Sequence, residues 1–343
     1  MIPFIKIEAK NHNEFGYKLG SSLKENIQFR IKQNKKAYEK NGLKDYPSLV
    51  KISRKFLPSI EKKYQDLLKE AKGISEGAEI SFDDLIVLMC EEELIDLKII
   101  KKIKIPHCTN IALKTSDNKV LLGHNEDWIP EYLKNGLVVT KGRINKKKFL
   151  SLNYMGSFPG TSCGLTSHGL AFTVNSLKFK KFRYQIPRSF QMAEILELNS
   201  PEDIMKVLDF SKSSISGNTI LAWANSRIID VEELWGHIEK FESHKWLIHT
   251  NHPLLKKDQT KKNTDVESLE RYYRAVDILT KEKSLTLNTV KKVLSDHKAG
   301  VCTHNRNTLW TTIGSGIINP TDKWIEVCHK NPCKNKYKRY YLD

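Results

Sequence analysis

The chain has 343 residues, of which 39% are hydrophobic and 28% charged, a composition typical of a globular protein rather than a disordered one. No apolar run approaches the about 20 residues that a bilayer-spanning helix requires, and the N-terminus does not resemble a signal peptide, so we expect a cytoplasmic protein with no membrane partner. The net charge of +17 comes mainly from lysines spread along the chain, without a zinc-finger, helix-turn-helix or RNA-binding signature, so we expect no specific nucleic-acid partner.

The first part of the chain is predicted to be mainly helical. Apolar side chains recur at every fourth position from Phe15 to Ile31, which predicts one helix within residues 12–40 that ends at Asn41 and Gly42. This stripe is the face that we expect to be buried.

Two further helices are predicted before the first strand. One extends from Ser48 to about Lys72, with a kink or break at Pro58 and an end at the glycines that follow. The next begins after Ser81, where Asp84 takes the place of glutamate in a capping box.

The pattern changes to strands at residue 108. Short apolar runs at 111–113 and 120–122, joined by turn residues, predict a hairpin that returns Asp127 towards Cys108. A thiol at the start of a strand, with a carboxylate beside it, is a plausible nucleophile with an orienting partner.

The remaining elements alternate between hairpins and paired helices. Strands are predicted at 137–141, 149–155, 164–166, 170–175, 219–223, 227–230, 246–250, 308–313 and 323–327, and helices at 192–198, 204–210, 265–281 and about 287–297. Hairpins without strand–helix–strand crossovers favour antiparallel sheets covered by helices.

Three motifs carry a family resemblance: Cys108-Thr109-Asn110, the Gly-His-Asn-Glu-Asp-Trp string at 123–128, and Thr-Asn-His at 250–252. They resemble the acyl-CoA:6-aminopenicillanate acyltransferases, or peptidase family C45, which belong to the N-terminal-nucleophile (Ntn) hydrolases and are related to the choloylglycine hydrolases. The resemblance covers nearly the whole chain. It implies an α+β fold, a four-layer αββα sandwich of two antiparallel sheets between helices.

The resemblance also implies self-cleavage between His107 and Cys108. Residues 1–107 would then form a mainly helical α fragment and residues 108–343 the αββα core, the two remaining associated as one domain.

The same resemblance assigns roles to four catalytic candidates. Cys108 would be the nucleophile and, through its freed α-amino group, the base, while Asp127 would hold that amino group. Asn251 would donate to the oxyanion, a role that suits a neutral amide. Asn175 is the fourth candidate, although the segment before it departs from the family pattern at residues 166–168, which leaves the substrate contacts undecided.

His124, Asn125 and Trp128 are expected to bind substrate, and Arg306 either completes the site or is an ordinary loop residue. Aromatic residues in and beside the motifs predict an apolar pocket that prefers an apolar or aromatic acyl group: Trp128, Tyr154, Phe158 and Phe172.

A zinc site is the alternative role for a group of cysteines and histidines near the C-terminus: Cys302, His304, Cys328, His329 and Cys333. Their spacing matches no common closed zinc site, and strand cysteines in a reduced core are the commoner explanation. We therefore predict no metal and no bound cofactor, with acyl-CoA left open as a co-substrate.

The sequence thus predicts a self-processing N-terminal-cysteine amidohydrolase. It would cleave the C–N bond of a small N-acyl amide, or a thioester, through an acyl-enzyme. Two alternatives remain: an acyl-CoA-dependent N-acyltransferase of the same family, and a catalytically silent basic binding protein.

Overall fold

A computed structural model describes residues 1–43, 45–98, 108–177, 183–209, 212–234, 237–255, 266–304 and 310–343. Its strands are β1 Phe4–Ala9, β2 Thr109–Lys114, β3 Val120–Trp128, β4 Leu137–Ile144, β5 Lys147–Tyr154, β6 Cys163–Thr166, β7 Leu170–Ser176, β8 Gly217–Trp223, β9 Ile228–Leu234, β10 His237–Ser243, β11 Trp246–His249, β12 Thr311–Asn319, β13 Trp324–His329 and β14 Tyr337–Tyr341. Its helices are α1 His12–Ser22, α2 Lys24–Lys40, α3 Tyr46–Ser53, α4 Leu57–Lys63, α5 Gln65–Ala78, α6 Phe82–Met89, α7 Glu91–Asp96, α8 Arg188–Ile195, α9 Pro201–Val207, α10 Val266–Lys281 and α11 Leu287–Leu294.

The strands form two stacked sheets. One has eight strands in the order β1-β4-β5-β6-β7-β8-β9-β10, and the other has six in the order β11-β2-β3-β12-β13-β14. The sheets contact each other through β3 and β7, β12 and β6, and β13 and β5. Neighbouring strands are antiparallel except β1, which pairs in parallel with β4.

Helices cover both outer faces. α10 and α11 share a buried apolar cluster with β2, β3 and β11, while α1, α5 and α8 contribute to the larger cluster around the eight-stranded sheet. The four-layer αββα sandwich that the sequence predicted is therefore confirmed. The parallel pairing of β1 is the departure from two purely antiparallel sheets, and it inserts a strand from the N-terminal segment into the core sheet.

The N-terminal apolar stripe is buried as expected, but it lies on two helices instead of one. Leu23 leaves the helical region at φ −118° and separates α1 from α2. Phe15, Leu19, Leu23, Ile27 and Ile31 are each at most 7% exposed. The spacing of four residues between apolar side chains indicates which face is buried, but it does not indicate a break of one residue in the helix.

The predicted helix end is wrong at Gly73 and close at Gly77, since α5 ends at Ala78. Both residues lie inside α5, where a Cβ would come within 2.4 Å of the Asn13 carbonyl oxygen and 2.2 Å of the Tyr17 carbonyl oxygen. Glycine is present there because the backbones of α1 and α5 are in contact. The break near Pro58 is only a change of helix, since this residue lies in the first turn of α4.

Three strands were not predicted from the sequence: β1, β10 and β14. All three are edge strands in the two sheets, where one side of the strand has no neighbour and polar side chains are tolerated. The Ser81 cap of α6, in contrast, is confirmed, since its side chain accepts from the Asp84 amide at 3.0 Å.

Across the described part of the chain, no helix combines the length and the apolarity that a membrane span needs.

Candidate active site

The predicted nucleophile lies directly before β2, buried between the layers. Register pairs Thr109 with Asn125 across the β2–β3 hairpin, which brings the start of one strand to the end of the other. The Cys108 thiol, 3% exposed as a residue, donates to Glu126 Oε1 over 3.1 Å. The hairpin that the sequence predicted thus places two carboxyl-bearing residues, Glu126 and Asp127, near the thiol.

Glu126 is the acceptor for a small buried network. Its Oε1 accepts from the Tyr154 hydroxyl at 2.6 Å, and its Oε2 lies 3.0 Å from His124 Nε2. Burial raises the pKa of the Glu126 carboxyl, but the neighbouring His124 and the hydrogen bonds outweigh it and leave the pKa below its ordinary value. Glu126 is therefore ionised near neutral pH.

The thiol shows the opposite shift. Burial, together with the charges of Glu126 and Asp127, raises the pKa of Cys108 well above its ordinary value. The thiol is thus protonated at rest, and its nearest acceptor in the described residues is the Glu126 carboxylate.

Asp127 lies on the other face of β3. Its Oδ1 accepts from the Thr312 hydroxyl at 2.6 Å, while its buried Oδ2 has no hydrogen-bond partner in the structure. Burial raises the pKa of Asp127 to about 8. A carboxyl of this kind gains most from a nearby cation, which would restore its ionised form.

An arginine on α10 joins the motifs to each other. Arg271 Nη1 donates to the Cys108 carbonyl at 2.6 Å and to Thr109 Oγ1 at 2.8 Å, while Nη2 donates to Asn251 Oδ1 at 2.7 Å. The sequence analysis considered Arg306 for the role of site arginine, and that residue lies outside the described residues. Arg271 had a detectable signal, because it occupies the buried face of α10 between Ser268 and Ala275.

The side chains of the predicted oxyanion donor, Asn251, and of the fourth catalytic candidate, Asn175, point to backbone carbonyls. Asn251 Nδ2 donates to the Ser176 carbonyl at 2.9 Å, and Asn175 Nδ2 donates to the His249 carbonyl at 3.0 Å. Their amide donors are engaged in these contacts, so the oxyanion role of Asn251 stays a prediction.

The predicted substrate contacts separate into two groups. Trp128 borders a cavity, while His124 connects Glu126 to Asn110 Oδ1, 2.6 Å away. Asn125 points from the other face of β3 towards the end of α11, where its amide donates to the Leu294 and Val301 carbonyls at 2.8 and 2.7 Å. The alternation of side chains along β3 therefore gives Asn125 a structural contact in place of the expected substrate contact.

The cavity beside this network has a volume of about 40 Å³. Its lining is Leu88, Met89, Glu91, Glu92, Glu93, Trp128, Tyr132, Tyr154, Ser157, Thr161, Arg188, Ser189 and Met192. Tyr154 connects it to the thiol, because its hydroxyl donates to the same Glu126 oxygen. Of the four expected aromatic residues, Trp128 and Tyr154 line the cavity, whereas Phe158 and Phe172 belong to the buried core. The lining also includes three carboxyl groups and one guanidinium, so it is less apolar than expected.

Burial also affects these carboxyl groups. It raises the pKa of Glu91 to about 6 and that of Glu93 to about 8, with nearby Glu92 contributing to both shifts. Glu92 itself accepts from Ser176 Oγ at 2.9 Å. The cavity therefore carries an acidic wall, formed by Glu91, Glu92 and Glu93, beside its aromatic residues.

In the described residues, three groups of side chains place metal-ligating atoms within 4.8 Å of one another: Cys108 with His124 and Glu126, Asp230 with Glu232 and His249, and a group near the C-terminus. The first is the hydrogen-bonded network of the nucleophile. In the second, Glu232 already accepts from the Leu254 amide and lies 2.8 Å from His249 Nε2. In both of these groups, the three side chains that could bind a metal already form hydrogen bonds with other protein groups.

Comparison with known proteins supplies the family. The family model described as acyl-coenzyme A:6-aminopenicillanic acid acyl-transferase matches residues 113–334. The curated β-alanyl-dopamine/carcinine hydrolase of Drosophila melanogaster is 27% identical over 214 residues, which cover 57% of this chain and 54% of that protein. The chain thus spans about half the length of the curated relative it matches.

Three solved structures are also similar. A Caenorhabditis elegans N-acylethanolamine-hydrolyzing acid amidase ortholog gives 15% identity and a TM-score of 0.49, with 62% of this chain and 93% of that chain covered. A mutant conjugated bile acid hydrolase from Clostridium perfringens gives 12% and 0.46, with 69% and 97% covered. Penicillin V acylase of Agrobacterium tumefaciens gives 14% and 0.44, with 65% and 83% covered.

Proposed function

The chain belongs to the acyl-coenzyme A:6-aminopenicillanic acid acyl-transferase family, and on this premise we propose that it is a self-processing cysteine amidohydrolase acting on small N-acyl amines. The observation that carries the proposal is the Cys108 thiol at 3.1 Å from an ionised, buried Glu126, with Arg271 on the carbonyl of the same cysteine. A silent binding protein has no use for a buried thiol on a carboxylate, or for a buried guanidinium on the carbonyl of the same residue, since both charged groups cost free energy to bury.

The first reaction is self-cleavage. The thiol passes its proton to Glu126, and its sulfur attacks the carbonyl carbon of residue 107. The bond to the Cys108 nitrogen breaks as that nitrogen takes up a proton, which leaves a thioester on sulfur and a free α-amine. Water then hydrolyses the thioester and releases residue 107 as a carboxylate.

The second reaction uses the amine that the first one creates. An α-amine has a reference pKa of about 7.7–8.0, so near neutral pH it can accept the thiol proton. Asp127, whose buried Oδ2 has no hydrogen-bond partner among the described residues, is suited to hold that amine. The sulfur attacks the substrate amide, the amine product leaves with the proton, and water releases the acid from the acyl-enzyme.

The acidic wall narrows the substrate class. Three carboxyl groups beside Trp128, Tyr132 and Tyr154, two of them on buried residues, favour a group that carries a positive charge and an aromatic ring or alkyl chain. The Drosophila relative is, by its name, a hydrolase of β-alanyl-dopamine and carcinine, and a β-alanyl group carries an amine. We therefore propose N-acyl amides with an ammonium group as substrates.

Intact-mass analysis tests the self-cleavage. Wild-type protein should give two fragments that separate at residues 107 and 108, and Cys108→Ala should remain a single chain. Cys163→Ser, a buried cysteine of β6, is the matched control and should cleave as wild type does. A fully active, uncleaved wild-type chain would overturn the self-processing part of the proposal.

A substrate panel tests the activity of the cleaved protein. β-Alanyl, propanoyl and succinyl amides of one aromatic amine share a similar size and differ in charge. We expect the β-alanyl amide to be hydrolysed fastest and the succinyl amide slowest. Equal rates would exclude the role of the acidic wall, and no turnover of any amide would overturn the hydrolase assignment.

The transferase of the same family is the second candidate, because acyl transfer and hydrolysis share the acyl-enzyme. Acyl-CoA and a second amine, added to the same assay, separate the two. A rise of acylated amine at the expense of free acid would identify a transferase. Product release independent of the amine would identify a hydrolase.

A further inference from the structure

Two cysteines and two histidines from separated parts of the chain meet near the C-terminus. Cys302 and His304 lie after α11, His297 precedes them, and Cys333 lies in the turn between β13 and β14. The ligating atoms of all four are within 4.8 Å of one another. We propose that this cluster, the 297/302/304/333 cluster, binds one zinc ion with tetrahedral Cys₂His₂ coordination.

The distances between the ligating atoms fit such an ion. With bonds of about 2.3 Å to sulfur and about 2.0–2.1 Å to nitrogen, a tetrahedral site separates two sulfurs by about 3.8 Å, sulfur and nitrogen by about 3.6 Å, and two nitrogens by about 3.3–3.4 Å. Here Cys302 Sγ and Cys333 Sγ are 3.6 Å apart, and His304 Nε2 lies 3.2 Å from His297 Nδ1. Nε2 of His304 is 3.8 and 3.2 Å from the two sulfurs.

Hydrogen bonding alone does not account for all these spacings together. A thiol–imidazole contact or an imidazole pair explains one distance at a time, whereas four donors that surround one point explain them simultaneously. Thiolate and imidazole donors in tetrahedral geometry select zinc over calcium or magnesium, which prefer oxygen ligands. The four protein donors leave no open position, so the site is structural and not catalytic.

The surroundings also suit a metal site. Asn331 Nδ2 lies 3.6 Å from Cys302 Sγ and donates to the Thr303 carbonyl at 2.5 Å, the kind of outer contact that orients thiolate ligands. His297 is exposed, which gives an ion access from solvent. The spacing analysis missed the site because it lacked His297 and because Cys333 comes from a different turn.

The site has a consequence for the active centre. Thr303, between two of the ligands, exchanges hydrogen bonds with Thr312, and the Thr312 hydroxyl donates to Asp127. Zinc would therefore hold the segment after α11 against the turn that follows β13. Its ligands Cys302 and His304 flank Thr303, which bonds to Thr312, the partner of Asp127. We expect zinc removal mainly to lower the stability of the protein. Through this contact it should also lower the activity.

Metal analysis of the purified full-length protein tests the proposal. We expect about one zinc per wild-type chain after dialysis against metal-free buffer. Cys333→Ser and His304→Ala should weaken zinc binding well beyond the about 10–100-fold cost of losing an outer-shell contact. Cys328→Ser is the matched control, since this neighbouring cysteine lies outside the cluster, and it should keep the zinc.

Cobalt provides a readout that does not depend on the variants folding. Co²⁺ added to chelator-treated wild-type protein should give the visible absorption of a tetrahedral ion and a thiolate-to-cobalt band in the near ultraviolet. Octahedral cobalt spectra, no stoichiometric binding of zinc or cobalt, or a Cys302–Cys333 disulfide in the non-reduced protein would each overturn the proposal.

Discussion

Before self-cleavage the α-nitrogen of Cys108 is part of a peptide bond and accepts no proton, so the first reaction needs another base. Glu126, at 3.1 Å from the thiol and with its pKa held below the ordinary value, fits that role. Glu126→Gln keeps the size of the side chain and removes the base. We expect self-cleavage to slow by about 10²–10⁴-fold, the usual contribution of a general base.

Pulsed cell-free synthesis followed by intact-mass analysis measures this rate as new chains appear. Glu232→Gln is the matched control, because Glu232 is also a buried strand carboxyl that contacts a histidine, His249, and it lies away from the thiol. Cleavage of Glu126→Gln at the wild-type rate would show that the proton leaves by another route.

Arg271 bridges three acceptors that come from two motifs. Arg271→Lys keeps the charge but cannot reach all three, so at least one buried acceptor loses its donor, at a cost of about 1–3 kcal/mol of unfolding free energy. We expect a lower urea midpoint and slower cleavage. Arg274→Lys, on the same helix but partly exposed, should change both much less, and equal effects of the two variants would contradict the bridging role.

At this scale the sequence revealed part of the site. Cys108 and Asp127 followed from the hairpin, because turn residues between two apolar runs determine which strand ends meet. Arg271 was not identified and Tyr154 was expected only as a pocket residue, since their approach to the site depends on how α10 and the eight-stranded sheet pack on β2 and β3. Packing between layers leaves no periodic pattern in the sequence from which it could be predicted.

Among the elements, the pair α1 and α5 makes the closest backbone approach. A Cβ at Gly16 would lie 2.0 Å from the Glu70 carbonyl oxygen, a backbone atom that cannot move without shifting α5. In an exposed helix, glycine to alanine stabilises by roughly 0.5–1 kcal/mol. Here we expect Gly16→Ala to destabilise the protein by about 1–3 kcal/mol, as overpacking does.

Chemical denaturation monitored by circular dichroism measures this change. Ser21→Ala, at an exposed position of the same helix, is the control and should stay within about 0.5 kcal/mol of wild type. A neutral or stabilising Gly16→Ala would contradict the close backbone contact between α1 and α5. The glycines of this contact also show why the sequence placed a helix end at Gly73: it shows a glycine, but not whether that glycine ends a helix or admits a neighbouring backbone.

Over the whole molecule, buried carboxyl groups make stability depend on pH. Burial raises the pKa of Glu93 to about 8 and that of Glu233 to about 7, both above the ordinary value of 4.5. The folded chain therefore keeps protons that the unfolded chain releases between about pH 4.5 and 8, and stability falls as pH rises through this window. One such group contributes at most about 1.4 kcal/mol per pH unit.

Urea midpoints at pH 5.5 and 8 should thus be lower at the higher pH. Glu93→Gln keeps an oxygen for the Arg188 amide, which donates to Glu93 Oε1 at 2.8 Å, and removes the titration. We expect a smaller difference between the two midpoints for this variant, whereas the exposed Glu202→Gln should behave as wild type does. An unchanged difference in Glu93→Gln would assign the pH dependence to other groups.

The described residues on either side of the proposed cleavage point share one core, which leads to a final prediction. Residues from α1–α7 and from the sheets belong to the same buried apolar cluster, and β1 is a strand of the eight-stranded sheet. Polar contacts also cross between the fragments: Arg30 donates to the Glu131 carbonyl at 2.7 Å, and Ser189 Oγ donates to the Met89 carbonyl at 2.9 Å.

Separation of the fragments would expose this core and leave the edge of β4 unpaired, so cleavage at residue 107 should not release either part. Size-exclusion chromatography of cleaved protein should give one peak with the mass of the intact chain, and a denaturing gel of that peak should show both fragments. Urea should separate the two fragments only as the fold is lost. The loss of circular dichroism and the change in mass should therefore follow one transition. Elution of a folded 108–343 fragment alone in native buffer would contradict the prediction, because it would require the sandwich to persist without its first helical layer and its β1 edge.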